Sequence, residues 1–590
     1  MPYRMSSMLV LAAISGLASA SLSLAADIQV GSPSLVRYLP DNALGTVEVS
    51  GLAPLIERIE TSEALKAYLA SPLYDDLLKT DQARKALAGK AILEAQLGMD
   101  LWTFAKTYFG DQVALGVYPP VNGGQPDSVT ILQVKVAADL TKLVDKLTPL
   151  IALAGDQVVM SDREGGGKAF RFKDGTHALL DDRWVVAGKN AEMLTLTLQN
   201  LTSSKEGGLD SSAAWKAMSA QMGAQHTVQV CANLAKISEL HGKRIVPEKL
   251  DNPAVSLLYG GILEMAAKSP YLGATFDIRE DSYSLKWAVG GNVATLDDAH
   301  RSLVLDPAQP MPPLVPAIAG RLATISISRG LTKWYKSREQ LLEAKLQPEF
   351  DKFETGLATF LPGKDFAEDV LPLLTGRIAF VAAPQDYAYL DGKPGVQIPA
   401  FGLVIELAKP REGSDILNLV AQTILTITNL EASKQKRQPW VQSSETFKDV
   451  QINFARYLER PKGDQLATSY NFQPASALVG NRFILSSSLG LCRQLVEALS
   501  SEPSETARVT ADGGGLPNFI QEISPSVAAD LVEANAAVIH AKNVQNGKTA
   551  EQSAREVEGV CKLLRHLTTI QLNTVQYSDH MAIELHGGWK

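Results

Sequence analysis

The sequence predicts an α+β fold of two tandem, related modules, each a mainly antiparallel sheet packed with helices. Three observations predict it. Short runs such as FRF, HALL and WVVA lie between the turn signals Gly165-Gly166-Gly167, Asp174-Gly175 and Asp181-Asp182, which is the pattern of a meander. Stretches with apolar residues at helical spacing interrupt these strands. The same order of elements is met twice, on either side of a proline-rich segment at 303–320.

The composition is that of an ordinary globular chain. Of 590 residues, 45% are hydrophobic and 20% charged, which excludes global disorder. The 44 Gly and 30 Pro show no Gly-X-Y period, which excludes collagen. A net charge of −8 argues against a dedicated nucleic-acid binder.

Residues 1–26 read as a secretory signal peptide. Arg4 supplies the positive start and Met8 to Leu17 the apolar stretch. Small residues then offer cleavage just before Asp27. The alternative is a short N-terminal anchor, for which the apolar stretch is short, since a span needs about 20 residues. The mature chain is expected in the periplasm or outside the cell, with no stable membrane span. An exported domain of this size has core enough to fold without disulfides. Of the three cysteines, Cys231, Cys492 and Cys561, at least one must be free. Three buried thiols, or a Cys492–Cys561 bridge, are the two readings.

The first module is expected over 36–302. Tyr38-Leu39-Pro40 is followed by the strand TVEVS at 46–50, then helical sequence, then strands at 110–119 and 129–136. A helix follows, with Leu140, Leu143, Val144, Leu147, Leu150 and Ile151 in one stripe behind Asp139. RWVVAGKNAEML at 183–194 runs from strand into helix, TVQVCANL at 227–234 is a strand, and 271–291 a hairpin.

The segment 303–320 carries prolines at 307, 310, 312, 313 and 316, which fits a linker or an extended crossover. The second module, 321–590, repeats the order. Leu314-Val315-Pro316 leads to TISIS at 324–328, then strands at 376–384 and 401–408. A helix carries Ile416, Leu419, Val420 and Ile424. NRFILSSSLGLC at 481–492 matches the strand-into-helix of the first module, AAVIHAKN at 536–543 reads as the counterpart of 227–234, and 566–588 is the closing hairpin.

Catalytic motifs are absent. There is no Gly-x-Ser-x-Gly elbow, no His-Glu-x-x-His, no phosphate loop and no dinucleotide or calcium motif. Gly165-Gly166-Gly167-Lys168 is a hairpin turn, and Ser433-Lys434-Gln435-Lys436 a solvated charge run. His580 and His586 face one side of a strand about 20 Å apart, too far to share a metal. Adjacent carboxylates, at Asp75-Asp76, Asp181-Asp182 and Asp297-Asp298, point apart rather than facing across a cleft. The tryptophans are spread through both halves, as core residues would be. No catalytic, cofactor-binding or metal residue, and no cofactor, is assigned.

The start after the leader, RYLPDNALGTVEVSGLAPLIERI at 37–59, resembles exported bacterial proteins of a domain family of unknown function. Members begin with a Leu-Pro turn, a short strand and a helix. They carry a later Gly-x-x-hydrophobic strand like Gly110-Asp111-Gln112-Val113-Ala114-Leu115. The resemblance spans mainly 37–200 and more weakly 314–500. It implies export and fold, and brings no catalytic residues. The expected function is a non-catalytic cell-envelope binding or scaffold protein. The alternative is a carrier of lipid or another apolar ligand, and the third reading is a hydrolase with a site outside known motifs. An apolar cavity open to solvent would favour the carrier.

Overall fold

The computed structural model describes residues 34–590 except 52–54, most of 58–76, 121–125, most of 135–156, 164–165, 182–183, 206–207, 210–211, 224–225, 243, 280, 436 and 502–513. The expected signal peptide, Asp75-Asp76, and all of the Leu140–Ile151 stripe except Val144 lie outside the described residues. Helices and antiparallel ladders together make the α+β class. Among the described residues, no helix is long and apolar enough to cross a membrane.

The chain divides into two compact units. The first comprises Met1–Lys243, Ser269–Gly290 and Gly588–Lys590, and the second Arg244–Lys268 and Gly291–Gly587.

Among the described residues, ten strands build the first unit. They are β1 (Gly45–Ser50), β2 (Phe109–Tyr118), β3 (Asp127–Val134), β4 (Val158–Asp162), β5 (Lys168–Phe172), β6 (His177–Asp181), β7 (Trp184–Gly188), β8 (Val228–Asn233), β9 (Tyr271–Ile278) and β10 (Ser282–Gly290). Their order in the sheet is β4-β5-β6-β7-β3-β2-β1-β8-β9-β10, antiparallel throughout. Helices α1 (Asp81–Leu97) and α2 (Leu101–Tyr108) precede β2. Next come α3 (Ala191–Ser203), α4 (Ala213–Met222) and α5 (Leu234–His241). Asn190, Ser212 and Asn233 cap these last three, each accepting a backbone N–H of its helix's first turn. Alternation on β1 is strict. Thr46, Glu48 and Ser50 are buried, while Val47 and Val49 lie half-buried on the other face.

The second unit has its own ten-stranded ladder. Its strands are β11 (Ala323–Ser328), β12 (Leu374–Ala383), β14 (Ala400–Leu407), β15 (Trp440–Phe447), β16 (Val450–Tyr457), β18 (Ala475–Val479), β19 (Arg482–Ser486), β20 (Leu516–Ile523), β21 (Ile570–Gln576) and β22 (His580–Gly588). They run β15-β16-β18-β19-β14-β12-β11-β20-β21-β22, all antiparallel. Position for position this is the order of the first unit. The short strands β13 (Asp391–Pro394) and β17 (Lys462–Leu466) pair in parallel beside it. Its helices are α6 (Pro253–Lys268), α7 (Leu331–Lys336), α8 (Gln347–Leu357), α9 (Pro410–Lys434), α10 (Leu489–Ser501), α11 (Pro525–Ala534), α12 (Ala536–Gln545) and α13 (Ala550–His566). α10 packs Leu491, Cys492, Leu495 and Val496 onto Val381, Val404, Ala477 and Ile484 of the sheet. In the first unit α3 covers β6 and β7 from the matching place in the chain.

Two expectations are corrected, and of the two cysteine readings three buried thiols holds. Residues 536–543 form the helix α12, and β20 takes the place beside β11 that β8 takes beside β1. The run Ala-Val-Ile-His imitates a strand locally. Its spacing instead sets Ala536 and Ile539 together against Val557 and Cys561 of α13, a helical period. The cysteines are unbridged: Cys231, Cys492 and Cys561 are all free and buried. Cys492 belongs to the core under α10 and Cys561 to that under α13, so their cores are separate.

The division between units also differs from a break at 302/303. The proline-rich segment has no helix or strand, as its prolines require, yet Leu303, Leu305 and Leu314 are buried. It is a packed crossover of the second unit, and α6 joins the same unit. Gly260 and Gly261 of α6 make room for it, since a Cβ on either would meet Leu303 or Val304 at 2.7 Å. The Arg329 guanidinium, fully enclosed, donates to the carbonyls of Leu257 and Leu258 of α6 at 2.8 and 2.9 Å, and to Asn518 of β20 at 2.6 Å. Burial without an anion lowers its pKa to about 9.

Candidate functional site

The second unit contains a cavity of about 400 Å³, within the range of small-molecule sites. Four short pieces of chain build its aromatic wall. α7 begins after Gly330, whose N–H donates to Ser302, and carries Leu331, Trp334 and Tyr335. α8 has Pro348 in its first turn, where a missing N–H costs nothing, and presents Phe350 and Phe353 at i, i+3. Phe366 opens a five-residue turn of helix. Asp365 caps it by accepting the N–H of Glu368, and its own N–H donates to Asp369. Leu371, Leu374 and Ile378 continue from there into β12, and Pro253 of α6 closes the side. Gly376 has φ +89° where β12 starts, and a Cβ there would collide with the Arg329 carbonyl.

Tyr335 is the hub of the wall. Its ring meets Phe350 at 5.8 Å and Phe366 at 5.3 Å between centroids, both edge to face, and Phe353 meets Phe366 at 5.5 Å. The Tyr335 hydroxyl donates to Glu354 at 2.7 Å. Burial, and then the Glu354 carboxylate, hold its pKa well above the ordinary phenol value. Arg338 stacks over this wall, 4.6 Å from the Tyr335 centroid and 5.8 Å from that of Phe350, and pairs with Glu354 at 3.3 Å. Trp334 Nε1 donates to Ser256 at 3.2 Å. Phe353 is 46% exposed, and Glu349 is the one charged residue lining the cavity.

A second, much smaller space lies in the first unit. The space beside Cys231 and Trp215 is about 10 Å³, room for one water at most.

The residues singled out from sequence are dispersed. His580 stacks on Tyr577 with centroids 4.1 Å apart and bonds Asp579 at 2.9 Å. His586 lies 3.7 Å from Glu584. Asp297 and Asp298 do diverge. Asp297 caps the turn that follows it, and Asp298 faces Arg301 and Lys333.

Among the described residues, one trio could hold a metal ion: Glu264, Asp297 and His300, with ligand atoms within 4.8 Å of one another. Sequence reading missed it because Glu264 comes from α6, and only folding brings it to Asp297 and His300 of a later turn. Glu264 is already bonded by Arg244 and lies 3.3 Å from Lys268, so two cations occupy the carboxylate a metal would need. His300 Nδ1 bonds Asp297 at 2.7 Å. Burial alone would raise Asp297, but the His300 backbone N–H and ring hold its pKa below the usual carboxylate value. The group fastens α6 to the turn at 297–301.

No family model matches the chain, and no curated protein matches it. Three crystal forms of TP0453 align with part of it. Form IV has a TM-score of 0.24 and 8% identity, covering 44% of this chain and 80% of that one. Form III has 0.21 and 10%, over 44% and 80%. Form I has 0.24 and 8%, over 45% and 82%. Superposition at that level carries no argument about function.

Proposed function

We propose that this protein is an exported, non-catalytic carrier of an apolar ligand, held in the cavity between α7, α8 and the start of β12. The cavity carries the reading: about 400 Å³, open to solvent and lined mainly by Leu, Ile, Phe, Tyr and Trp, with an exposed phenylalanine among them. Such volume and lining suit a ligand bound by shape and apolar burial. A lining with one carboxylate and one buried phenol, and no histidine, cysteine or serine, supports binding over hydrolysis. The leader-like residues 1–26 support export.

Native mass spectrometry of protein isolated from its source tests the reading. A co-purifying mass that extracts into organic solvent is expected, together with an N-terminus near Asp27. A bare chain that also fails to take up a fluorescent apolar probe would overturn it.

A second reading, a scaffold that binds another protein, has its own observation. On α9, Leu419, Ile424, Ile427 and Leu430 are exposed, and no charged residue falls between Ile416 and Leu430. Of the stripe that the sequence marks, Leu419 and Ile424 are exposed while Ile416 and Val420 are half-buried, so apolar side chains of this helix meet solvent.

A further inference from the structure

We infer that the cavity's ligand is a cationic amphiphile: an apolar body carrying an amine or quaternary ammonium nitrogen that seats against the aromatic wall and Glu349. This rests on the carrier reading and adds the chemistry of the head group.

The charge of the lining points one way. Glu349 is its one charged residue, and no Lys, Arg or His lines the cavity. Among the described lining residues an anionic head meets a carboxylate and no cation. A cationic head gains what an anionic one loses. Glu349 is also available. Its partner is Lys352 at 2.8 Å, 71% exposed, and an ion pair in water holds its members weakly.

The rings point the same way. Aromatic faces carry negative potential, and an ammonium group seats over the face of a ring within about 6 Å of its centroid. Here the wall already holds one cation, the Arg338 guanidinium over Tyr335 and Phe350. Arg338 is not among the residues that line the cavity. Its guanidinium is engaged by Glu354 at 3.3 Å and by the Tyr335 carbonyl at 3.1 Å. A cavity of about 400 Å³ far exceeds a bare ammonium group, so the head must bring an apolar body with it.

The test uses the full-length protein and three probes that share one chain and differ in head: dodecyltrimethylammonium, dodecanol and dodecanoate. Binding is read by calorimetry below the micelle threshold. The cation is expected to bind at least about ten-fold more tightly than the carboxylate, with the alcohol between. Glu349→Gln should cut that advantage to under about three-fold, and Glu349→Lys should reverse it. Glu349 is exposed, so both variants are expected to fold, and their melting curves check it. Phe353→Ala should weaken all three probes alike. Equal binding of dodecanoate and the ammonium probe, or an order unmoved by Glu349→Gln, overturns the head-group inference alone. Failure of all three probes to bind overturns the carrier reading with it.

Discussion

Arg377 of β12 and Glu406 of β14 form a salt bridge of 2.8 Å with both side chains nearly enclosed, 13% and 8% exposed. Arg377 Nε also donates to the Pro312 carbonyl at 2.8 Å, and Glu406 accepts the Thr375 hydroxyl at 2.9 Å. One pair therefore ties the proline-rich crossover to the sheet. Removing a single partner leaves a buried charge unmatched, which costs about 3–5 kcal/mol. Arg377→Met and Glu406→Gln should each lower the urea midpoint accordingly. The double variant Arg377→Met with Glu406→Leu should recover much of the loss, and a double variant no better than the singles would refute this account.

His226 predicts a pH dependence in the first unit. Its Nδ1 lies 2.7 Å from Asp277, and its Nε2 2.5 Å from the carbonyl of Met222 at the end of α4. Burial pulls its pKa down, but the bond to Asp277, that carboxylate's charge and the Met222 carbonyl together raise it above 6.5. A raised imidazole stabilises the fold below the unfolded value and loses that contribution as pH rises through the folded one. Thermal melts should therefore weaken from pH about 6 to about 8, and His226→Leu should flatten that slope.

Glu48 has the same sign, because its pKa too is raised in the folded state. It is buried on β1, where it accepts the Leu35 N–H and the Ser34 hydroxyl, each at 2.6 Å. Burial raises its pKa more than those bonds and the Val36 N–H lower it. The folded state then holds the proton more readily than the unfolded chain. Stability is lost as pH rises from 4.5 through the raised value. Glu48→Gln keeps an acceptor for Leu35 and removes the ionisation. Measured against wild type, its relative stability should improve from pH about 4 to about 7, and a constant difference would contradict this.

The thiols should be inert in the folded protein. Burial pushes both Cys231 and Cys492 up to about 12, and raises Cys561 as well. A thiol reagent at mild alkaline pH should titrate none of them before unfolding and all three after. A single reactive thiol after unfolding would mean that a bridge had formed.

Much of the fold was legible because strands in an antiparallel sheet advertise themselves locally. TVEVS and TISIS alternate, Asp174-Gly175 turns, and Arg482–Ser486 runs directly into a helix. What failed was a choice between periods over eight residues. AAVIHAKN carries both, and packing against α13 decided for the helix. The cavity was less legible because its wall comes from residue 253 and from 331–378. One signal was available: Phe350 and Phe353 at i, i+3 beside Glu349, an aromatic stripe next to a carboxylate. Trp334 was read as core, and it does pack, but one of its faces lines the cavity.

The membership of α6 in the second unit bears on how the protein is made. Synthesis runs from the N-terminus, so the ribosome delivers Leu257 and Leu258 well before Arg329, and Asn518 of β20 much later still. The second unit cannot close around its buried guanidinium until nearly the whole polypeptide has emerged. A chain interrupted before β20 leaves that arginine without its Asn518 carbonyl. Nascent chains stalled at successive lengths should therefore stay open to protease in the second unit until β20 is complete.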